Sequence, residues 1–356
     1  MYINMVKLDI FLKGCDTIFF SDNLNQNNPF EVEEIKKFLS IFGVEYDFPD
    51  ITYVIRDNDE IIATGSASGN ILKYFFAKCT YSGQGAIGII YNSLLEYVIE
   101  KGYNSYFIFT TPNNKAIFSS LGLNEVYSTN SVILLEGGFY NYSSWIRKVK
   151  DYVGVKNGKR GVIVVNCNPM TLGHKYLMNE ALKKVDELII FVVEEDLSIF
   201  PFETRYNIVV NEFKGDDRVK IIKGGPYIIS RGTFPTYFIK QKDKMLDIYT
   251  ELDASIFANK IAKDLEIDIR FLGSEPIDVV TLAYNKSLKE ILEDRDIEVK
   301  IVDRKEEANE PISASYVRKL LKEDKVEDAY KLLPKSTIEF LNSKEGMQII
   351  DKIKTV

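Results

Sequence analysis

Phosphate handling is the chemistry that the reactive residues of this chain share. The first stretch is Asn166-Cys167-Asn168-Pro169-Met170-Thr171-Leu172-Gly173-His174, which follows an apolar run and opens a segment where Leu177, Met178, Ala181, Leu182 and Val185 recur at helical spacing. A helix start presents free N–H groups and a partial positive charge. Gly173 lets a ligand approach the backbone, and Thr171 and His174 add side-chain donors facing the same space. A lone histidine is more often a structural residue, but strand, Pro, Thr-x-Gly-His and amphipathic helix in that order predict a polyphosphate site. The second stretch is Pro311-Ile312-Ser313-Ala314-Ser315-Tyr316-Val317-Arg318. Ser313 or Ser315 can cap a helix there, and Arg318, one turn on, can reach anionic oxygens. By itself this is a plain capped helix with a solvated arginine; paired with Thr171–His174 it predicts two helix starts converging on one nucleotide. The third is Gly83-Gln84-Gly85, where a glycine loop opens another helix and either holds a pyrophosphate on its N–H groups or only serves the turn.

Composition narrows what can surround these residues. The 356 residues suit two domains or three, and with 46% hydrophobic and 12% aromatic residues they can bury about three quarters of the unfolded surface without staples. Lys+Arg 45 against Asp+Glu 52 leaves a net charge of −7 with no basic tract, which argues against a nucleic-acid partner. Cys15, Cys79 and Cys167 are widely spaced and odd in number, so a disulfide framework and a zinc quartet are both excluded and a reducing cytoplasm is expected. His174 is the only histidine, which rules out metal sites built from two or three imidazoles. Apolar runs such as Leu188–Val193 fall far short of a membrane span, and no signal peptide is expected.

The elements that must position these stretches fall into two periodicities. Ile51–Arg56, Ile61–Ser68 and Ile71–Cys79 read as an antiparallel meander; a helix follows the glycine loop until Gly102, then a strand at Ser105–Thr110, a short helix around Ala116–Leu121 and a strand at Ser131–Glu136. Gly137-Gly138 is the expected end of this α+β unit, 1–138, and 139–160 reads as a linking helix and turn. From 161 to 356 short apolar strands alternate with helices: Val162–Asn166, Leu188–Val193, Val219–Ile222, Ile267–Leu272 and Val299–Val302 predict a parallel sheet, and the tail after Pro311 is helical. The fold class is α/β, with no internal repeat.

Thr171–His174 and Ile312–Arg318 match the (His/Thr)-x-Gly-His and Ile-Ser-x-Thr/Ser-x-x-Arg motifs of the nucleotidyltransferase superfamily, which this chain resembles. More narrowly, nearly the whole chain resembles the citrate lyase ligase family. The blocks that carry this are Phe200-Pro201-Phe202-Glu203-x-Arg205, Tyr227–Phe238, Gly273-Ser274-Glu275-Pro276 and Val280-Thr281-x-x-Tyr284-Asn285. Asn168 stands where many superfamily members have Asp. The N-terminal unit resembles a GNAT-type acetyltransferase fold, with Gly83-Gln84-Gly85 at its coenzyme-A loop but Ser82 in place of the usual Arg or Gln.

The resemblance implies a Rossmann-like nucleotidyltransferase domain behind a GNAT-like domain, and an AMP-forming acid-thiol ligase. Thr171, His174 and Arg318 would activate ATP; Asn168, Pro169, Gly173, Ser313 and Ser315 would line its phosphates, and Gly273, Ser274 and Glu275 its nucleoside. Arg205 would be a further phosphate clamp or a salt-bridged helix residue. The resemblance further implies Mg²⁺ with the ATP, acetate as co-substrate, and the acyl carrier subunit of citrate lyase, with its dephospho-CoA-derived thiol, as acceptor. Gly83, Gln84 and Gly85 would hold that arm, and Arg231–Phe238 would wall the carboxylate or the carrier. The rival readings are an adenylyltransferase acting on a phosphopantetheine-like acceptor and a non-catalytic carrier-binding module.

Overall fold

The computed structural model describes residues 19–81, 83–194, 198–230, 246–274, 279–303, 306–307 and 310–355. The chain divides into two compact units, Met1–Phe109 and Thr110–Val356. This division falls earlier than the Gly137-Gly138 pair.

The first unit runs β1 (Ser21–Asn23), α1 (Pro29–Ser40), β2 (Ile51–Asp57), β3 (Glu60–Ser68), β4 (Ile71–Ala77), α2 (Ala86–Glu100) and β5 (Ser105–Thr110). The Asn28 side chain caps α1, Pro29 occupies its first turn, and Val32, Ile35, Phe38 and Leu39 form its buried stripe. Strands β2, β3 and β4 form the expected antiparallel meander. Asn58 and Asp59 turn the first hairpin at φ 48° and 61°, a left-handed geometry that these two residue types tolerate. Helix α2 lies on β3: a Cβ added to Gly65 would stand 2.4 Å from Ile90 Cγ2. Strands β4 and β5 are parallel, with register only at Ile71↔Phe107 and Leu72↔Ile108. Beyond Leu72 they carry no pairing, on the side where β4 leads into the glycine loop.

The second unit continues with α3 (Lys115–Ser120), an antiparallel hairpin of β6 (Asn124–Ser128) and β7 (Ile133–Gly138), and α4 (Tyr142–Val153), which lies in the segment read as a linking helix. Asn141 and Ser144 close a reciprocal capping box on α4. Next come β8 (Arg160–Val165), α5 (Leu172–Leu182), β9 (Glu187–Val192), α6 (Phe202–Glu212), β10 (Val219–Lys223), α7 (Leu246–Ile256), β11 (Ile269–Gly273), α8 (Val279–Glu293) and β12 (Glu298–Val302). The tail is α9 (Ala314–Lys322), α10 (Val326–Tyr330), α11 (Lys335–Leu341) and α12 (Lys344–Thr355).

Strands β8 to β12 form one parallel sheet in the order β10-β9-β8-β11-β12. The central strands β8 and β9 read as apolar runs because they are buried on both faces, while the edge strands β10 and β12 carry lysines and are less buried. The chain winds outward from β8 to β10, then returns to the other side of β8 with β11. The reversal leaves a crevice at the carboxyl ends of β8 and β11, where ligands bind in sheets of this kind. Ile163, Val165, Met178, Ile190 and Phe271 fill the core on one face, and Phe200, Val317, Leu321, Leu333 and Leu341 fill a second core among the tail helices. Among the described residues no helix is long and apolar enough to cross a membrane.

Candidate active site

The loop from Asn166 to Leu172 leaves β8 at the switch point, and five distant donors and acceptors hold it. Arg205 of α6 donates through Nη1 to the Asn166 carbonyl (2.8 Å), to Asn166 Oδ1 (2.8 Å) and to the Val193 carbonyl (2.8 Å), and through Nε to the Phe200 carbonyl (3.0 Å). Thr337 Oγ1 donates to the Met170 carbonyl (2.9 Å), the Leu172 N–H donates to the Leu332 carbonyl (2.9 Å), and Arg318 Nη1 donates to the Asn168 carbonyl. Asn168 Oδ1 accepts from the Phe200 N–H at 3.1 Å. The Asn168–Pro169 peptide bond is cis, and Pro169 is buried.

These contacts change the expected part of Arg205. The residue is 0% exposed and its guanidinium is engaged by backbone carbonyls. It braces the loop from behind, and those carbonyls, left unpaired while buried, would each cost free energy.

Thr171 caps α5, and its geometry orients His174. The Thr171 N–H donates to His174 Nδ1 at 3.0 Å, Thr171 Oγ1 lies 2.9 Å from the same nitrogen, and the His174 N–H donates back to Oγ1 at 3.4 Å. A backbone N–H can only donate, so Nδ1 is the acceptor and the neutral ring carries its proton on Nε2. Thr171 is 1% exposed and works as the cap and ring-holder rather than as a surface donor.

Gly173 is required for a different reason from the one its position suggests. A Cβ there would sit 2.9 Å from the Ile312 carbonyl oxygen. The glycine therefore admits the backbone of the second stretch. With the Leu172 and His174 amides engaged, the Gly173 N–H is the amide of that first turn without a hydrogen-bond partner among the described residues.

The second helix start reaches the first through Arg318. This side chain is half-buried on α9, and burial lowers its pKa from the ordinary value, yet it remains a cation far above neutral pH. Ser313 is the α9 cap, its Oγ accepting from the Tyr316 N–H at 3.1 Å and lying 3.1 Å from the exposed Ser315 Oγ. Gly173, Ile312, Asn168 and Arg318 thus join two motifs that lie 150 residues apart at their hydrogen bond.

Gly273 ends β11 on the other wall of the crevice, where its added Cβ would meet only Leu177 of α5, at 3.9 Å, and the Ser274 N–H donates to the Val302 carbonyl at 2.9 Å. Glu275 and the Arg231–Phe238 segment lie outside the described residues, as does Ser82. Cys167 is fully buried at φ 52°, and burial pushes its thiol up to about 12 against the opposing pull of Arg205, so it is no nucleophile at neutral pH.

The glycine loop belongs to the first unit. Gly83 and Gly85 have φ 80° and 81°, Gly85 is the residue before α2, and the Gln84 side chain donates to the Thr80 carbonyl at 3.2 Å. The left-handed turn alone explains both glycines.

A doubly wound parallel sheet whose switch point carries Thr-x-Gly-His at one helix start and Ser with Arg at another is an α/β domain of the nucleotidyltransferase type. Comparison narrows the class. The family "Citrate lyase ligase C-terminal domain" matches residues 160–341. The chain is 32% identical over 297 residues to the [Citrate [pro-3S]-lyase] ligase of Klebsiella pneumoniae, covering 82% of this chain and 86% of that protein. The chain belongs to the citrate lyase ligase family. It is also 29% identical over 161 residues to the phosphopantetheine adenylyltransferase of Fusobacterium nucleatum, which covers 42% of this chain and 98% of that one. Among solved structures, aminoglycoside 6'-N-acetyltransferase complexed with coenzyme A is similar over 34% of this chain and 98% of its own, at 11% identity and a TM-score of 0.30.

Proposed function

We propose that the chain is an AMP-forming acid-thiol ligase that uses ATP to acetylate the thiol prosthetic group on the acyl carrier subunit of citrate lyase. The observation that carries this is the bond from Arg318 to the Asn168 carbonyl, which brings two phosphate-type helix starts to one switch point in a member of the citrate lyase ligase family. In the first step an acetate oxygen attacks the α-phosphorus of ATP and the bond to the bridging oxygen of pyrophosphate breaks. Acetate is already an anion at neutral pH, so this step asks for alignment and charge neutralisation rather than a base. His174 Nε2–H, the Gly173 N–H and Arg318 supply donors for the phosphate oxygens, while Thr171 and Arg205 hold those donors in place. Ser313 and Ser315 stand at the second helix start, and Gly273 and Ser274 face the nucleoside end.

In the second step the carrier thiol sulfur attacks the acetyl carbonyl, the carbonyl–phosphate oxygen bond breaks, AMP leaves, and the thiol proton passes to solvent. Mg²⁺ would accompany the nucleotide and would offset charge on its phosphates. Among the described residues no group of three His, Cys, Asp or Glu side chains could hold a metal. The first unit would serve the second step. Its glycine loop opens α2 beside two strands that pair only at Ile71 and Leu72, an arrangement suited to a pyrophosphate-bearing arm in a GNAT-like domain. The functional division would then be 1–138, 139–160 and 161–356, and the enzyme would act in the cytoplasm. The test is incubation of the protein with ATP, Mg²⁺, acetate and deacetylated citrate lyase. The expected result is AMP and a carrier subunit heavier by one acetyl group. Transfer of an adenylyl group to a phosphopantetheine acceptor instead would make it an adenylyltransferase, and neither product would leave a binding module.

A further inference from the structure

The helical tail pins Thr171 from both sides. Thr337, in the first turn of α11, donates through Oγ1 to the Met170 carbonyl at 2.9 Å, and the Leu332 carbonyl, just before that helix, accepts from the Leu172 N–H at 2.9 Å. These contacts fall on the two peptide units that flank Thr171. Thr337 and Met170 are both 0% exposed, so the bond between them is shielded from bulk water. A threonine hydroxyl in a helix can bond back to a carbonyl of its own helix. This one instead reaches a loop 167 residues earlier.

The Met170 carbonyl and the Thr171 N–H are the two ends of one peptide unit. A trans peptide unit is planar, so the two groups point in opposite directions and turn together. Thr337 holds the oxygen end, and the N–H end donates to His174 Nδ1 at 3.0 Å. Any rotation of the plane would swing the N–H away from the ring. The bond to the oxygen also polarises the amide and makes its N–H a stronger donor. Thr171 Oγ1 lies 2.9 Å from the same ring nitrogen, but a hydroxyl can donate or accept and so suits either tautomer. The backbone N–H can only donate. Of the two it is the one that selects the ring with Nδ1 bare and the proton on Nε2.

We infer that Thr337 is a positioning residue for His174, acting through the Met170–Thr171 peptide unit to fix the tautomer of the ring. Its consequence for catalysis rests on the ligase reading above; its effect on the ring does not. His174 is the only histidine in the chain, so ¹⁵N-histidine labelling of the full-length protein reports on this ring alone. The variants are Thr337→Val, which keeps the shape and removes the hydroxyl, and Thr337→Ser, which keeps the hydroxyl. At about pH 8.5, where an imidazole is neutral, the parent should show two widely separated ring signals, one from a bare nitrogen and one from a protonated nitrogen. Thr337→Val should draw them together as both tautomers become populated. It should also lower kcat for acetate-dependent exchange of labelled pyrophosphate into ATP about tenfold, with the acetate KM unchanged. Thr337→Ser should keep the parent's signals and rate. A folded Thr337→Val protein with the parent's ring signals overturns the inference whatever its rate, and if that variant does not fold, merged signals in Thr337→Ser do so. Moved signals with an unchanged rate overturn the part in catalysis. If the parent exchanges no pyrophosphate while its ring signals still depend on Thr337, the ligase reading fails and the positioning of the ring stands.

Discussion

His174 acts through the proton on Nε2, and that proton is placed by a backbone N–H three residues earlier. His174→Ala should therefore lower acetate-dependent pyrophosphate release on the order of 10² to 10³, the cost of one preorganised donor, while calorimetry shows an intact fold. A near-normal rate would return the ring to a purely structural part. Arg318→Lys should weaken ATP binding in a titration, because a point charge can keep the Asn168 carbonyl contact but not grip two phosphate oxygens at once. Gly173→Ala is a packing test. Its Cβ would press on a backbone carbonyl, which cannot swing aside as a side chain can, so unfolding by denaturant should show a loss of about 1–3 kcal/mol. The glycine was legible as necessary from its place in the motif. Its reason was not, since nothing local announces that Ile312 comes to lie there.

At the scale of elements, the switch-point loop is kept in shape by helices that follow it in the chain. Arg205→Ala would strip three buried carbonyls of their donor, and at about 1–3 kcal/mol for each, a fall of at least 3 kcal/mol in unfolding free energy is expected. A second device ties α5, α6 and α11 together. Glu212 is buried, which alone would raise its pKa, but hydrogen bonds from Lys175 Nζ (2.5 Å) and the Ser336 N–H (3.3 Å) outweigh that and hold it below the usual carboxylate range. A carboxyl with a lowered folded pKa contributes stability above its unfolded value, near 4.3, and loses it as pH falls through the folded one. Glu212→Gln should thus lower the calorimetric melting temperature at neutral pH and flatten its decline below about pH 4. An acid limb identical to that of the parent would show that Glu212 takes no part in this linkage.

Across the whole molecule, adenylation and transfer should be separable. The groups proposed to touch ATP all lie after residue 160, while the glycine loop lies in the first unit. Gly83→Asn suits this test, because the added Cβ would meet nothing within 4 Å and Asn tolerates the φ of 80°. Pyrophosphate exchange should keep its rate while acetylation of the carrier slows, as followed by mass spectrometry. Truncation is governed by packing inside the second unit. Glu136 of β7 accepts from the Tyr227 hydroxyl at 2.5 Å and from the Tyr142 N–H at 3.0 Å, and the Val126 carbonyl of β6 accepts from Lys260 at 2.9 Å. A fragment starting near Tyr140 loses both partners and should unfold at lower denaturant than one starting at Thr110.

The chain's own pattern determined most of the α/β core. The central strands β8 and β9 are visible as apolar runs because they are buried on both faces, the edge strands β10 and β12 show only short apolar stretches broken by lysines, and the two helix starts are visible because Thr, Gly, His, Ser and Arg stand at turn-and-cap spacing. Strand β6 has no such signal, since Val126 is its one buried residue among five. Local periodicity reports how a residue is buried, not what it meets. Only the tertiary structure decided that Arg205 serves the carbonyls of the loop, that Gly173 admits Ile312, and that Arg318 closes on Asn168, because each depends on segments brought together across a long stretch of chain.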